Sequence, residues 1–194
     1  PNFKRMLAYS SVEHMGILCV GMSLGPAGVA AALFHVWSNA LTKGSLFLSA
    51  GNIRRAAGSS LVEEVRGMIL LTPVSATLLV VGMFAVTACP PFGPFFSELQ
   101  VLRAALASGH GVATAFFIVC LLMAFFGMTR VVFGVVYGTP HAATQTNSRG
   151  FVESFGIIAP PVVLLALSLW IGLFTPACLS ESWQAALAQL FPNP

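Results

Sequence analysis

Long apolar stretches, separated by short polar or glycine- and proline-containing segments, dominate this sequence. Each stretch is about 20 residues long, which is the length of helix needed to cross ~30 Å of hydrocarbon. The pattern therefore predicts an all-α polytopic membrane protein with about five transmembrane helices. The predicted spans lie near residues 5–24, 27–50, 72–107, 112–137 and 156–174, within one transmembrane bundle over residues 1–179.

The third stretch is interrupted by Pro90, Pro91, Gly93 and Pro94, so we predict a discontinuous helix that is broken at residues 90–94. Proline lacks a backbone donor and clashes with the preceding turn, which prevents a helix from continuing through this segment. Non-helical backbone at membrane depth is tolerated only inside protein or beside a water-filled cavity. Glu98 follows the break and is the strongest functional candidate. The remaining residues, 180–194, are predicted to form a short tail, which would lie at the membrane interface if it is helical.

Composition supports the membrane interpretation and excludes several other classes. The chain is 57% hydrophobic and 8% charged, where a soluble domain has about 25% charged residues. A net charge of +3 is too small to suggest nucleic-acid binding. The four cysteines are widely separated, and we find no phosphate-binding glycine loop, metal-ligand spacing or nucleophile with a base. We therefore expect no catalytic centre, cofactor or metal of the chain's own. Because the chain begins at Pro1, we also expect it to be part of a longer protein.

Basic residues fall on alternate loops, and the opposite loops contain neither Lys nor Arg. Cytoplasmic loops of membrane proteins carry an excess of these residues. The asymmetry therefore predicts that the basic side is cytoplasmic and that the C-terminal tail lies on the other side. The residues concerned are Lys4, Arg5, Arg54, Arg55, Arg66 and Arg149.

A polar stripe runs along the second predicted span. His35, Asn39 and Lys43 are spaced at i, i+4 and i+8, so they lie on one face of a helix. Such a column suits a proton path, because His titrates near neutrality and a desolvated Lys can exchange protons. The alternative is structural: Lys43 would extend to the membrane surface, and His35 would be a satisfied contact between helices.

Four further ionisable residues lie within predicted spans. Glu98 stands in the first turn of a helix, where the helix dipole alone favours a carboxylate. If it is buried, it must be neutral or pair with a cation such as Lys43 or Arg130. Arg130 could instead pair with Glu13 or bind free carbonyls of the broken helix. Glu13 and His14 form a polar patch on the first span, for which structural and transport roles are equally open.

Three motifs together resemble a known family. They are K-R-M-L-A-Y-S-S-V-E-H-M-G at residues 4–16, F-H-V-W-S-N-A-L-T-K-G-S-L-F-L-S-A-G-N-I at residues 34–53 and P-P-F-G-P-F-F-S-E at residues 90–98. They resemble the antiporter-like proton-translocating subunits of respiratory complex I and membrane-bound hydrogenases, in their C-terminal part only. The S-V-E-H-M-G form, with V-R-G-M at residues 65–68, is most similar to hydrogenase-4 component F.

The resemblance implies proton-relay roles for four residues. Lys4 matches a Lys where two half-channels meet, His35 matches a channel His, and Lys43 matches a Lys further along the same helix. Glu98 matches the Lys or Glu at the broken helix of the second half-channel. Asn39 stands where some members have a second His, so a relay there would need water or another donor. From their positions in the spans, we also expect polar support from Glu13, His14, Asn39 and Arg130.

Family members contain two inverted repeats of five helices, an arrangement that often builds transporter sites. This chain would supply part of the second repeat. We therefore expect a fragment of a proton-translocating subunit in the bacterial inner membrane, driven by redox chemistry elsewhere in a hydrogenase-4 or complex I-like oxidoreductase. Its expected partners are the other membrane subunits of that complex, the missing N-terminal half and lipid. Two alternatives are a non-conducting membrane scaffold and a sodium/proton antiporter subunit, although carboxylates that could bind sodium are scarce in the spans.

Overall fold

The structure is a computed structural model that describes residues 2–148, 150–174 and 177–191, and its regular elements in these ranges are helices. The predicted all-α class is therefore confirmed. The helices are α1 (Phe3–Met22), α2 (Gly25–Ala57), α3 (Met68–Leu71), α4 (Pro73–Val86), α5 (Gly93–Ala107), α6 (Gly111–Val136), α7 (Ala142–Ser148), α8 (Phe155–Leu173) and α9 (Ala177–Leu190).

The predicted break in the third span is confirmed. Helix α4 ends at Val86 and α5 begins at Gly93, with proline in its first turn. Helix α2 continues to Ala57, past the predicted end of the second span near Gly51. Gly51 is exposed and has open space around it, while the side chain of Asn52 is buried and hydrogen-bonded. Neither residue therefore has a reason to end the helix.

Two helices of the described ranges are long and apolar enough to cross a membrane by length and composition. They are α6, with a mean hydropathy of 2.3, and α8, with 2.2. Large apolar side chains such as Phe116 and Phe126 are exposed on α6, as expected for a surface that contacts lipid. The division of the chain into five spans stays a prediction.

Helix α2 is the centre of the bundle and packs against α1, α4, α5 and α8. It has 33 residues, so it is about 50 Å long, more than the ~30 Å of hydrocarbon. Its last turn carries Arg54 and Arg55, whose positive charges interact favourably with the negative end of the helix dipole. The polar residues of its middle, including His35 and Lys43, are buried between neighbouring helices.

Helices α1 and α2 form a tight antiparallel hairpin. Gly25, with φ of 73°, makes the turn, and Gly21 and Gly28 meet on either side of it. A Cβ atom at Gly28 would lie 2.2 Å from the carbonyl oxygen of Gly21, so only glycine permits this approach. At the other end, the side chain of Asn2 caps α1 and donates to Ser60 Oγ at 3.1 Å, beyond the end of α2. In the half of the hairpin nearest the turn, residues equally distant from it face each other, as Gly21 and Gly28 do.

Helix α8 covers the other side of α2 through contacts at a proline pair. Pro161 has no N–H for the carbonyl of Ile157, and Asn52 Nδ2 donates to that carbonyl instead at 3.1 Å. Further along, α8 packs on the backbone of the break, because a Cβ atom at Gly172 would lie 2.4 Å from the carbonyl oxygen of Pro91. The break is thus held between protein helices.

A carboxylate caps the first half of the discontinuous helix. Glu153 accepts hydrogen bonds from the backbone N–H groups of Val74 at 3.1 Å and Ser75 at 2.7 Å. These donors lie in the first turn of α4, which has no side-chain cap from its own Thr72. The negative charge also suits the positive end of the helix dipole.

Candidate functional site

Two histidines meet in the interior of the bundle. His14 on α1 and His35 on α2 are 1% and 0% exposed. His14 Nδ1 and His35 Nε2 lie 3.0 Å apart, and the two ring planes are inclined by 26°. The α1–α2 hairpin produces this contact, because His14 precedes the turn at Gly25 by about as many residues as His35 follows it. A hydrogen bond between imidazoles thus joins two helices inside an apolar bundle.

The hydroxyl of Ser97 fixes the orientation of the His35 ring. Ser97 Oγ donates to the carbonyl oxygen of Pro94 at 2.9 Å. We assign the Nδ1–H tautomer to His35, because a hydroxyl carries one proton and that of Ser97 is directed at Pro94; Ser97 Oγ then accepts from His35 Nδ1–H at 2.8 Å. The Nε2 atom of neutral His35 is left as an acceptor, and His14 Nδ1–H donates to it. The result is a directional chain of hydrogen bonds from α1 to the broken helix.

Glu98 lies beside the two histidines. It is 4% exposed, and one of its carboxylate oxygens lies within 4.8 Å of the nearest nitrogens of His14 and His35. The same residue lines a cavity of 360 Å³ together with Thr87, Phe95 and other residues of α5 and α6. The carboxylate therefore borders both the buried histidines and this cavity, whose polar lining besides Glu98 is Thr87.

Lys43 and Glu13 add charge to this cluster. Lys43 Nζ donates to Ser10 Oγ on α1, and Ser10 in turn donates to the carbonyl oxygen of Leu7 at 3.0 Å. Lys43 is close enough to interact electrostatically with Glu13, His14 and His35. Glu13 is half-buried and lines a cavity of 640 Å³ on one side and another of 380 Å³ that also contacts Ser10.

Other sequence candidates lie away from the cluster or lack the expected partner. Lys4 is exposed in the first turn of α1. Arg130 is exposed on α6, and within the described residues no ion pair joins it to Glu98 or Glu13. The neighbours of Glu98 are histidines instead, because α6 turns Arg130 outward. Asn39 is buried below His35 on α2, and its Oδ1 has no hydrogen-bond partner among the residues described.

Sequence reasoning missed the contact between His14 and His35 and the parts played by Ser10 and Ser97. The glycine-proline turn at residues 25–26 could have predicted the contact between the two histidines. In an antiparallel hairpin, residues that are equally distant from the turn meet, which relates His14 to His35. No comparable signal marked Ser97, because its role depends on where the broken helix packs.

The cluster is suited to proton chemistry. It combines two imidazoles, a carboxylate and an amine, all of which can bind or release a proton. A separation of up to 4.8 Å between Glu98 and the histidine nitrogens is too long for a direct hydrogen bond, but one water molecule can bridge it. The same three residues also form a possible set of metal ligands, a combination that spacing in the sequence did not predict.

Residues 1–148 match the family described as "NADH:quinone oxidoreductase/Mrp antiporter, TM". The chain therefore belongs to this transmembrane family, and the resemblance found in its three motifs is confirmed. A hydrogenase-4 component F homolog from Methylacidiphilum infernorum is 34% identical over 173 residues, which cover 84% of this chain and 36% of that relative. An NADH-quinone oxidoreductase subunit N from Halorhodospira halophila is 32% identical over 192 residues, covering 96% of this chain and 39% of that relative.

A solved structure has the same fold. The Mrp complex from a Dietzia species contains a chain that superposes with a TM-score of 0.81 at 22% identity, covering 96% of this chain and 42% of the other. The fold of this chain is therefore one that also occurs in a solved Mrp complex. This chain spans less than half the length of each of these curated relatives and of that chain.

Proposed function

We propose that the chain forms part of a proton-translocating membrane subunit of a hydrogenase-4 or complex I-like oxidoreductase, and that redox chemistry elsewhere in the complex drives it. The contact between His14 and His35, with Glu98 beside it, is the observation that carries this proposal. Family membership supports it, since relatives are named as subunits of hydrogenase-4 and NADH-quinone oxidoreductase. The partners would be the other membrane subunits and the rest of the same subunit, within a bacterial inner membrane.

The proposed path leads from Lys43 toward Glu98. Lys43 and Glu13 would deliver a proton to His14, whose Nδ1 proton then passes to Nε2 of His35 across 3.0 Å. The resulting imidazolium would be stabilised by the nearby carboxylate of Glu98. A water molecule between them would carry the proton to Glu98, which faces the 360 Å³ cavity and would control its exit.

The other candidate residues have supporting roles in this scheme. Asn39 lies one turn from both His35 and Lys43 and would hold a water molecule with its unpaired Oδ1. Lys4 would act where two half-channels meet, which fits its exposure at the start of α1. Arg130 would tune the charge at the surface of α6 and does not take part in the relay.

Sodium transport is less well supported by this chemistry. Sodium is a hard cation that prefers oxygen ligands, whereas two imidazoles and a nearby ammonium group dominate the cluster. The same groups are efficient proton carriers. The scaffold alternative has no such chemical objection, and only a transport measurement can test it.

Glu98→Gln in the full-length parent, within its complex, tests the proposal. Gln keeps the size and polarity of the side chain but cannot carry a proton. Redox turnover and proton uptake would be followed together in inverted membrane vesicles with a pH-sensitive dye. We expect uptake per electron to fall by the share that this subunit carries, with assembly intact.

The matched control is Glu63→Gln, the same change at an exposed loop residue. Normal uptake in the control with reduced uptake in Glu98→Gln would support the relay. The sequence placed Glu98 in the first turn of a helix, but α5 begins at Gly93 and has no acidic residue in its first turn. Uptake and turnover unchanged in Glu98→Gln would therefore leave Glu98 without a role in transport and favour the scaffold.

A further inference from the structure

We propose that His14, His35 and Glu98 form a binding site for a zinc-type divalent cation, which would block proton movement when it is bound. The expected block rests on the proposed function, whereas the binding itself does not. The three side chains come from three different helices, and one ligand atom from each lies within 4.8 Å of the other two. Such convergence of buried ligands is rare in an interior where polar groups are costly.

The ligand set is one that zinc-type ions use. Two His nitrogens and one carboxylate oxygen leave a fourth tetrahedral position open for water. Zn–N bonds of about 2.0–2.1 Å at a tetrahedral angle place the two nitrogens about 3.3 Å apart. His14 Nδ1 and His35 Nε2 are 3.0 Å apart, so these two nitrogens would need to separate by roughly 0.3 Å. The Glu98 oxygen, which lies within 4.8 Å of both, would move toward them by a change of its side-chain torsions. The ion would replace the hydrogen bond between the rings.

Ser97 already supplies the outer contact that a metal-binding histidine needs. Such residues usually donate their second ring N–H to an oxygen, which fixes the tautomer and points the other nitrogen at the metal. His35 Nδ1–H donates to Ser97 Oγ at 2.8 Å, so its Nε2 lone pair points toward His14. His14 needs only to move its proton from Nδ1 to Nε2 of the same ring, and the net charge of the pair is unchanged.

Two charged groups flank the site with opposite effects. Glu13 interacts electrostatically with Glu98 and would attract a cation, whereas Lys43 interacts with both histidines and would repel it. Access is possible through the 360 Å³ cavity, since Glu98 forms part of its wall. Binding should therefore depend on the ligands and also on the charge of Lys43.

The test is equilibrium binding of radioactive Zn²⁺ to the purified, detergent-solubilised parent complex. His14→Asn should weaken binding at this site at least about 100-fold, and Ser97→Ala about 10–100-fold. His141→Asn, the same change at an exposed histidine, should bind like the wild type. Equal Zn²⁺ affinity in His14→Asn and wild type would overturn the proposal.

Lys43→Met provides a result that misfolding cannot imitate. Removing the positive charge should tighten Zn²⁺ binding by about tenfold or more. Unchanged or weaker binding in this variant would contradict the inferred site.

The two proposals can fail separately. If Zn²⁺ binding depends on His14 while Glu98→Gln leaves proton uptake normal, the metal site stands and the relay does not. If Glu98→Gln lowers uptake while Zn²⁺ affinity is insensitive to His14, the relay stands and the metal site is wrong.

Discussion

Gly93→Ala should abolish proton uptake through the candidate site, although it changes none of the ionisable residues there. Gly93 is the first residue of α5, one turn before Ser97, and it packs directly on α2. A Cβ atom at this position would lie 2.7 Å from Cβ of Ser38 and 3.5 Å from the carbonyl oxygen of Ser168 on α8. The start of α5 is thus wedged between two helices, and it cannot retreat from one without approaching the other.

The size of the disturbance follows from these contacts. Ordinary carbon–carbon contact is about 3.5 Å or more, so α5 must move away from α2 by about 0.8 Å. If Ser97 moves with it, the distance from His35 Nδ1 to Ser97 Oγ grows from 2.8 Å to about 3.6 Å, beyond hydrogen-bonding range. The buried N–H of His35 would lose its partner, and its preferred tautomer would be lost. The overpacking itself should cost about 1–3 kcal/mol.

The assay is proton uptake per electron in inverted vesicles, with complex assembly and thermal stability measured on the same membranes. The matched control is Gly51→Ala, since Gly51 lies in α2, is exposed and has open space where a Cβ would stand. At an exposed position within a helix, Ala is more stabilising than Gly by about 0.5–1 kcal/mol. We expect the control to assemble and transport normally, and Gly93→Ala to assemble but lose uptake.

One outcome would refute this reasoning directly. If Gly93→Ala assembled and took up protons at the wild-type ratio, the contact between Ser97 and His35 would not be needed for transport. The His35 tautomer would then have no role in transport, and the proton path would not depend on the hydrogen bond to Ser97.

Two further predictions concern the packing around the site. Asn52→Ala should leave the carbonyl of Ile157 without a donor and lower the free energy of unfolding by about 1–3 kcal/mol. In thermal unfolding of the parent complex, the unfolding temperature should fall more than in Asn147→Ala, which removes a similar bond from an exposed side chain. Glu153→Gln keeps one acceptor oxygen of the two that bind the start of α4 and should cost about 1–2 kcal/mol. Faster hydrogen exchange at Val74 and Ser75 would confirm the second effect, and unchanged exchange would contradict it.

The helix break and the buried stripe on α2 could be predicted because their causes are local. Three prolines within five residues end a helix whatever surrounds them, and the i, i+4 spacing of His35 and Asn39 sets one face by geometry alone. The end of α2 could not be predicted in this way. Gly51 and Asn52 resembled a helix stop, yet Asn52 is used by the proline-disrupted helix that packs beside it.

The composition of the site was only partly accessible from the sequence, because it depends on contacts between helices. Glu98 was identified as important and was expected to be either neutral or paired with a cation; in the structure its ionisable neighbours include two histidines. Arg130 was one candidate cation because it lies in an apolar stretch, and the structure shows it exposed on α6. The helix exposes that face, and no pattern within a single stretch reveals which face is covered.

The geometry of the cluster is set by small residues more than by the polar ones that it contains. His14 meets His35 because Gly21 and Gly28 let α1 and α2 approach to a distance at which a Cβ would clash. Glu98 joins them because the break brings Gly93 against α2, at the start of the helix that carries Ser97 and Glu98. In an apolar bundle, hydrogen bonds between helices contribute only about 1 kcal/mol each, too little to pull helices together against steric resistance. Close backbone packing therefore comes first, and the hydrogen-bonded chain forms because that packing permits it.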